Sequence, residues 1–129
     1  MSITSKKIIE ALNKIGDCSY AQGNRRNSEL NKLDCLDFAR KIRVILEIPT
    51  IKVNFEDREA DFQRKGFKTF KECEIGDIVF LKSKHRKTNR FFTHVGVKFS
   101  ETEIIHLNFK NKKPRVESIE QISEDYKIL

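Results

Sequence analysis

Ile8, Ile9, Leu12 and Ile15 recur at the three- and four-residue intervals that place side chains along one side of a helix. Gly16 follows as the residue that most readily ends one, so the spacing predicts a helix over Ser5 to Ile15. From Asp17 to Asn31 the apolar positions stop, and Asn, Arg and Ser cluster around Gly23, which predicts an irregular loop. Periodicity then resumes. Cys35, Phe38, Ala39, Ile42, Ile45 and Leu46 form the stripe of a helix lying on a core, with Asp34 placed as its N-cap and Pro49 as its stop. A second, shorter helix is expected over about Asp57 to Lys65, closed by Gly66.

Beyond Gly66 the period falls from 3.6 to 2. Ile78 to Leu81, Thr93 to Phe99, Glu103 to Asn108 and Arg115 to Ile119 carry the β-branched and aromatic residues of strands, joined by short polar links. Helices followed by an antiparallel meander predict an α+β fold with the N-terminal helices packed on one face of the sheet. No repeat or linker divides the pattern, so residues 1–129 are expected to form one domain.

Composition narrows the partners. The formal net charge of +7 favours an anionic partner such as nucleic acid, a membrane surface or a bacterial wall. The basic residues are spread along the chain without the interleaved aromatics of an RNA-binding motif, so no nucleic-acid partner is expected. No apolar run approaches the roughly 20 residues of a membrane span, and the Met-Ser-Ile-Thr-Ser-Lys-Lys start lacks a signal peptide's apolar stretch. Synthesis in the cytoplasm is the expectation. Cys18, Cys35 and Cys73 cannot all pair with one another and match no zinc or redox spacing, so no metal or cofactor is expected and at least one thiol is free.

Cys35 is the thiol with chemical potential. It opens a predicted helix, where the positive end of the dipole favours a thiolate and unpaired N–H groups could stabilise an oxyanion. The alternative for Cys35 is a small apolar residue facing the core. His94 opens one predicted strand and His106 lies in the next, twelve positions later. A hairpin loop of three or five residues would set the two opposite one another on the same face as Gly96, whereas an even loop would part them. In the face-sharing register Val95, Val97, Phe99, Ile105 and Leu107 point away, and the two histidines are expected to face the helices. A nucleophile, a base and an orienting group would then meet, although each histidine could also be a satisfied core or edge residue. His85, in the basic run Lys82 to Arg90, reads as a solvated loop residue.

Leu33-Asp34-Cys35-Leu36-Asp37-Phe38 is similar to the Asp-Cys-Ser-Gly-hydrophobic nucleophile motif of the NlpC/P60 family of papain-like cysteine peptidases. Glu74 to Phe80 resembles the family's Pro-Gly-Asp-Leu-Val-Phe-Phe strand, Thr93-His94-Val95-Gly96-Val97 its His-Val-Gly-Ile base motif, and Ile104-Ile105-His106-Leu107 the motif of its third residue. Tyr20-Ala21-Gln22-Gly23 resembles a Tyr-x-x-Gly segment that lies near the nucleophile in family members. The blocks occur in order over roughly residues 8 to 119.

The resemblance implies a papain-like NlpC/P60 fold, with Cys35 as nucleophile, His94 as general base and acid, and His106 orienting the His94 ring. Tyr20, Asp34 and Leu36 are the implied oxyanion or substrate-binding residues. The implied reaction is hydrolysis of a peptide bond in peptidoglycan stem peptides, commonly that between D-γ-glutamyl and a diamino acid, with no cofactor. A phage or a secretion system would deliver such an enzyme to the wall. Two features depart from the pattern: Leu36-Asp37 replaces Ser-Gly, adding a carboxylate that opposes a thiolate, and the basic run precedes His94. Other functions compatible with the sequence are an acyltransferase or an amide or lipid hydrolase on a non-wall substrate, and an inactive basic binding module.

Overall fold

The computed structural model describes residues 3–15, 19–20, 32–33, 35–49, 58–108 and 113–129. Its elements are α1 (Ser5–Ile15), β1 (Ser19–Tyr20), β2 (Lys32–Leu33), α2 (Cys35–Ile45), α3 (Glu59–Arg64), β3 (Ile78–Ser83), β4 (His94–Ser100), β5 (Glu103–Leu107), β6 (Pro114–Ser118), α4 (Ile119–Ile122) and β7 (Tyr126–Ile128). The fold is α+β. Five strands form an antiparallel sheet in the order β6-β5-β4-β3-β7, and β1 pairs in parallel with β2 as a separate two-residue ladder.

The α2 stripe is where the sequence places it, whereas in α1 Ile9 is exposed and Ala11 takes a buried position. Ile8 and Ala11 of α1, and Cys35, Leu36, Phe38, Ala39 and Ile42 of α2, are buried in one cluster with Ile78, Phe80, Val95, Val97, Ile105 and Leu107 of the sheet. The helix α3 is short, and a single ring anchors it. Phe62 meets Phe80, Phe92, Phe91 and Phe67 at centroid distances of 4.8, 5.0, 5.3 and 6.0 Å, mostly edge to face, the arrangement that ring quadrupoles favour. Arg43 ties α2 to the entry of β3 by donating from Nη1 to the Gly76 carbonyl (2.9 Å) and Asp77 Oδ1 (3.1 Å). This contact fixes the height of α2, and so of Cys35, against the sheet.

The β4–β5 hairpin departs from the simple rule of odd and even loops. Ser100 pairs with Glu103 around a two-residue turn, yet Lys98 pairs with Ile104 and Val97 with Ile105. Two steps along β4 therefore answer one step along β5, and Phe99 is the extra residue of a bulge. The even turn alone would send His94 and His106 to opposite faces. The bulge restores the parity and puts them on the same one. Continuing the register sets His106 across from Gly96 and His94 across from Asn108, so the histidines are diagonal neighbours rather than directly opposed.

The shared face is the reverse of the expected one. Val95, Val97, Ile105 and Leu107 pack on α1 and α2, whereas His94, Gly96, Lys98, Ile104 and His106 alternate to the other side. There Val79, Leu81, Ile104 and Ile122 form a second buried cluster with Phe70, Ile119, Tyr126 and Ile128 packed against it. The expectation that the histidines face the helices is thus corrected: the face richer in β-branched and aliphatic residues takes the helices, because it buries more apolar area. Lys98 is also buried on this second face, where its ammonium donates to the carbonyls of Phe70 (3.0 Å) and Cys73 (2.9 Å) and pairs with Glu101. These contacts answer the desolvation of its charge.

Two C-terminal elements complete the second face and have no counterpart in the expected pattern. The one-turn α4 begins with a capping box, Ser118 accepting from the Gln121 N–H while the Gln121 side chain accepts from the Ser118 N–H. The Ser-x-x-Gln spacing was readable. Strand β7 was not, since three residues carry little period and it pairs with β3, more than forty positions earlier. Among the described residues no helix is long and apolar enough to cross a membrane.

Candidate active site

Cys35 is the first residue of α2 and is 1% exposed. It belongs to the helix-side cluster, yet lies at the helix's N-terminal end, where the first-turn N–H groups have no intrahelical acceptor. The two-residue ladder brings the backbone of Tyr20 beside Leu33, two positions before this thiol. The expectations for the Tyr20 side chain and for Asp34 lie outside the described residues. Leu36 is wholly enclosed in the core, which leaves its side chain no contact with a substrate. Asp37, the departure from the family pattern, lines a surface cleft with Lys14, Arg40 and Lys41, whose charges oppose its own.

His94 opens β4, and its ring is held on two sides. His94 Nε2 lies 2.9 Å from His106 Nδ1, the two rings standing edge to face. Tyr126 stacks on the His94 ring with centroids 5.1 Å apart and planes inclined by 20°. Gly96 makes the histidine pairing possible. A Cβ there would lie 2.6 Å from Ile104 Cγ2, 2.9 Å from the Ile105 carbonyl oxygen and 3.1 Å from His106 Cβ, so only glycine lets β5 approach this closely.

Behind His106 stands a residue that the motif reading does not contain. His106 Nε2 lies 3.0 Å from Glu117 Oε1, and Asn108 Nδ2 donates to the same oxygen. Glu117 and Arg115 of β6 share a face with His106, because Arg115 is the cross-strand partner of His106 and Glu117 lies two residues further along. The chain of hydrogen bonds fixes the tautomers. A carboxylate only accepts, so His106 must carry its proton on Nε2 and accept at Nδ1. His94 must then donate from Nε2. Its remaining nitrogen, Nδ1, carries the lone pair of a base.

Burial pushes the His94 pKa well below the ordinary histidine value, and the neighbouring His106 charge adds to the shift. His106 is also lowered by burial, with the Glu117 carboxylate acting in the opposite sense. At neutral pH His94 is a neutral imidazole, able to take up a proton. Tyr126 is raised to about 12, first by burial and next by the charges of Cys35, Asp125 and Glu117. Its phenol keeps its proton, and it stands within electrostatic reach of both Cys35 and the relay. Tyr126 contacts the His94 ring, and only the non-local β7 pairing brings it there.

The other two cysteines differ. Cys73 is buried, its Sγ near the carbonyls of Lys68 and Ile78, and burial foremost raises its pKa to about 11. Such a thiol is a poor nucleophile. Cys18 lies outside the described residues. His85, as expected, is exposed in the β3–β4 connection, 3.0 Å from Asp125. Among the described residues no group of three or more His, Cys, Asp and Glu side chains is arranged to hold a metal ion.

The second face opens into a groove of about 650 Å³ whose floor includes His106, Asn108, Glu117 and Tyr126 and whose rim includes Arg86 and Arg115. The arrangement supplies a helix-terminal thiol, a neutral imidazole with its tautomer fixed by a carboxylate, and an open approach to the far side of the relay. No family model and no curated protein matches the chain.

Proposed function

We propose that the protein is a cysteine hydrolase that cleaves a peptide bond in peptidoglycan stem peptides, with a papain-like NlpC/P60 architecture. The observation that carries this reading is the hydrogen-bonded chain His94–His106–Glu117, in which the one histidine nitrogen left for chemistry, His94 Nδ1, is the basic one. The carboxylate also satisfies the buried His106 Nε2–H, and by doing so it selects the tautomer in which His94 Nδ1 can act as a base. The thiol at the start of α2, where the first-turn N–H groups favour a thiolate, supplies the nucleophile.

In this mechanism His94 Nδ1 takes the Cys35 proton as the sulfur attacks the scissile carbonyl carbon. Backbone N–H groups of the first turn of α2 receive the developing oxyanion. His94 then gives that proton to the leaving amine as the C–N bond breaks, leaving a thioester on Cys35. Water, deprotonated by the same nitrogen, attacks the thioester, and the proton returns to sulfur as the acid product leaves. Glu117 and His106 stabilise the imidazolium that forms in each half.

Peptidoglycan is favoured as substrate by the motif resemblance and by the net charge of +7, which suits a wall rich in phosphates and carboxylates. The test is mass spectrometry of products released from purified peptidoglycans of several chemotypes. New amine and carboxyl termini within the stem peptide, produced by wild type and not by Cys35→Ala, are the expected result. Cleavage of thioester or lipid substrates with intact stem peptides would show that the same residues serve a different reaction.

A further inference from the structure

The groove on the second face carries charges that the relay does not use. Three of its lining residues are acidic: Glu117, Glu124 and Asp125. Glu117 is engaged by His106 and Asn108, and Asp125 by His85. The basic residues are placed differently. Arg115 projects on the same face as His106 directly across the β5–β6 ladder, and Arg86 enters from the β3–β4 connection on the side of Tyr126. Both side chains are exposed, and among the described residues neither guanidinium has a hydrogen-bonding or ion-pairing partner. Glu124 is the lining carboxylate with no such partner among the described residues. Two uncommitted guanidinium groups thus flank a floor made of the relay, with one uncommitted carboxylate among the lining residues.

We infer that this groove is a binding site for a peptide carboxylate, held by Arg86 and Arg115, with Glu124 receiving an ammonium of the same ligand. The inference rests on the hydrolase reading for the identity of the ligand as a stem peptide, whose carboxylate would lie at the His106 and Glu117 end of the relay. A guanidinium fork meets a carboxylate through two parallel hydrogen bonds, which gives orientation as well as affinity. Two such groups on either side of His106 and Glu117 would hold a stem peptide in one direction across them. The basic run before His94 gains a specific role through Arg86, while Lys84 and His85 bind the Ser123 carbonyl and Asp125 and so fasten the connection that carries it.

The test uses the full-length Cys35→Ala protein, which cannot turn over, and two soluble tripeptides, L-Ala-γ-D-Glu-diaminopimelate with free carboxylates and its fully amidated counterpart. Calorimetric titration should show the free acid binding about tenfold or more tighter, in keeping with charge-assisted hydrogen bonds. Arg86→Gln and Arg115→Gln, each in that background and each at an exposed position, should bring the two peptides close to equal affinity, and Glu124→Gln should weaken the free acid further. Equal affinities for acid and amide, discrimination that survives both arginine changes, or no binding of either peptide would overturn the assignment. Separate outcomes test the hydrolase reading: cleavage of both peptides by otherwise wild-type enzyme, equally well with either arginine replaced, removes the groove and leaves the hydrolase. Arginine-dependent discrimination without cleavage does the reverse.

Discussion

At Cys35 the demands of packing and chemistry coincide: the side chain belongs to the stripe that buries α2, and its sulfur sits at the helix end. Cys35→Ala keeps the apolar stripe, so it should abolish hydrolysis while costing only about 1 kcal/mol of stability, as read from activity and thermal unfolding. The histidines should fail in a graded order. His94→Ala should be nearly as damaging as loss of the thiol, because members of a catalytic unit fail together. His106→Asn should retain part of the activity, since an amide oxygen can accept from His94 Nε2, and His106→Ala should fall between. If His94→Ala outperforms His106→Ala on one stem peptide, the base and positioning roles are reversed. Glu117→Gln keeps an acceptor for His106 but removes the charge that opposes burial, so the acid limb of the rate profile should move to lower pH. Its maximal rate should fall roughly 10- to 100-fold, the range seen when carboxylates behind metal-bound histidines are removed. An unchanged profile would make Glu117 a merely structural partner.

Between elements, the decisive contact is the close approach of β4 and β5 at Gly96. A Cβ there meets the branch methyl of Ile104, the Ile105 carbonyl oxygen and the His106 β-carbon, all held close to the backbone, so Gly96→Ala should cost about 1–3 kcal/mol and lower activity by shifting His106. A variant with wild-type turnover would show that the pair tolerates a wider spacing. This scale also shows how far the site was legible in the sequence. The helices were, because their apolar stripes repeat over several turns, and so was the meeting of His94 and His106 on one face. The face was not: strand alternation says which residues point together, but not which side the helices cover. The even turn was not visible either, nor the extra residue at Phe99 that offsets it. Glu117 and Tyr126 escaped for a further reason, since each reaches the site through a pairing that no local pattern announces. Glu117 nonetheless sat at an alternating position in an expected strand, where a carboxylate with a histidine partner could have been sought.

For the molecule as a whole, pH links the site to stability. Both relay histidines have depressed pKa values, so the unfolded chain binds their protons more readily than the folded one. Stability is therefore full above the ordinary histidine range and lost as pH falls through about 6.5 toward the lower folded values. A lower midpoint of thermal unfolding at pH 5.5 than at pH 7.5, with the difference reduced in His94→Ala, is the expected measurement; no reduction would place the acid sensitivity elsewhere. The net charge acts on encounter rather than on bond breaking, so added salt should slow attack on intact wall more than on a soluble stem peptide. The thiol and its base, finally, belong to opposite sides of one sheet, the first anchored in the cluster beneath α1 and α2, the second in the cluster beneath α4 and β7. A nascent or damaged chain that has consolidated only one of these layers holds half a reaction centre. On the proposed mechanism, a chain lacking either layer lacks one of the two groups the reaction needs, so cutting would require both to be in place.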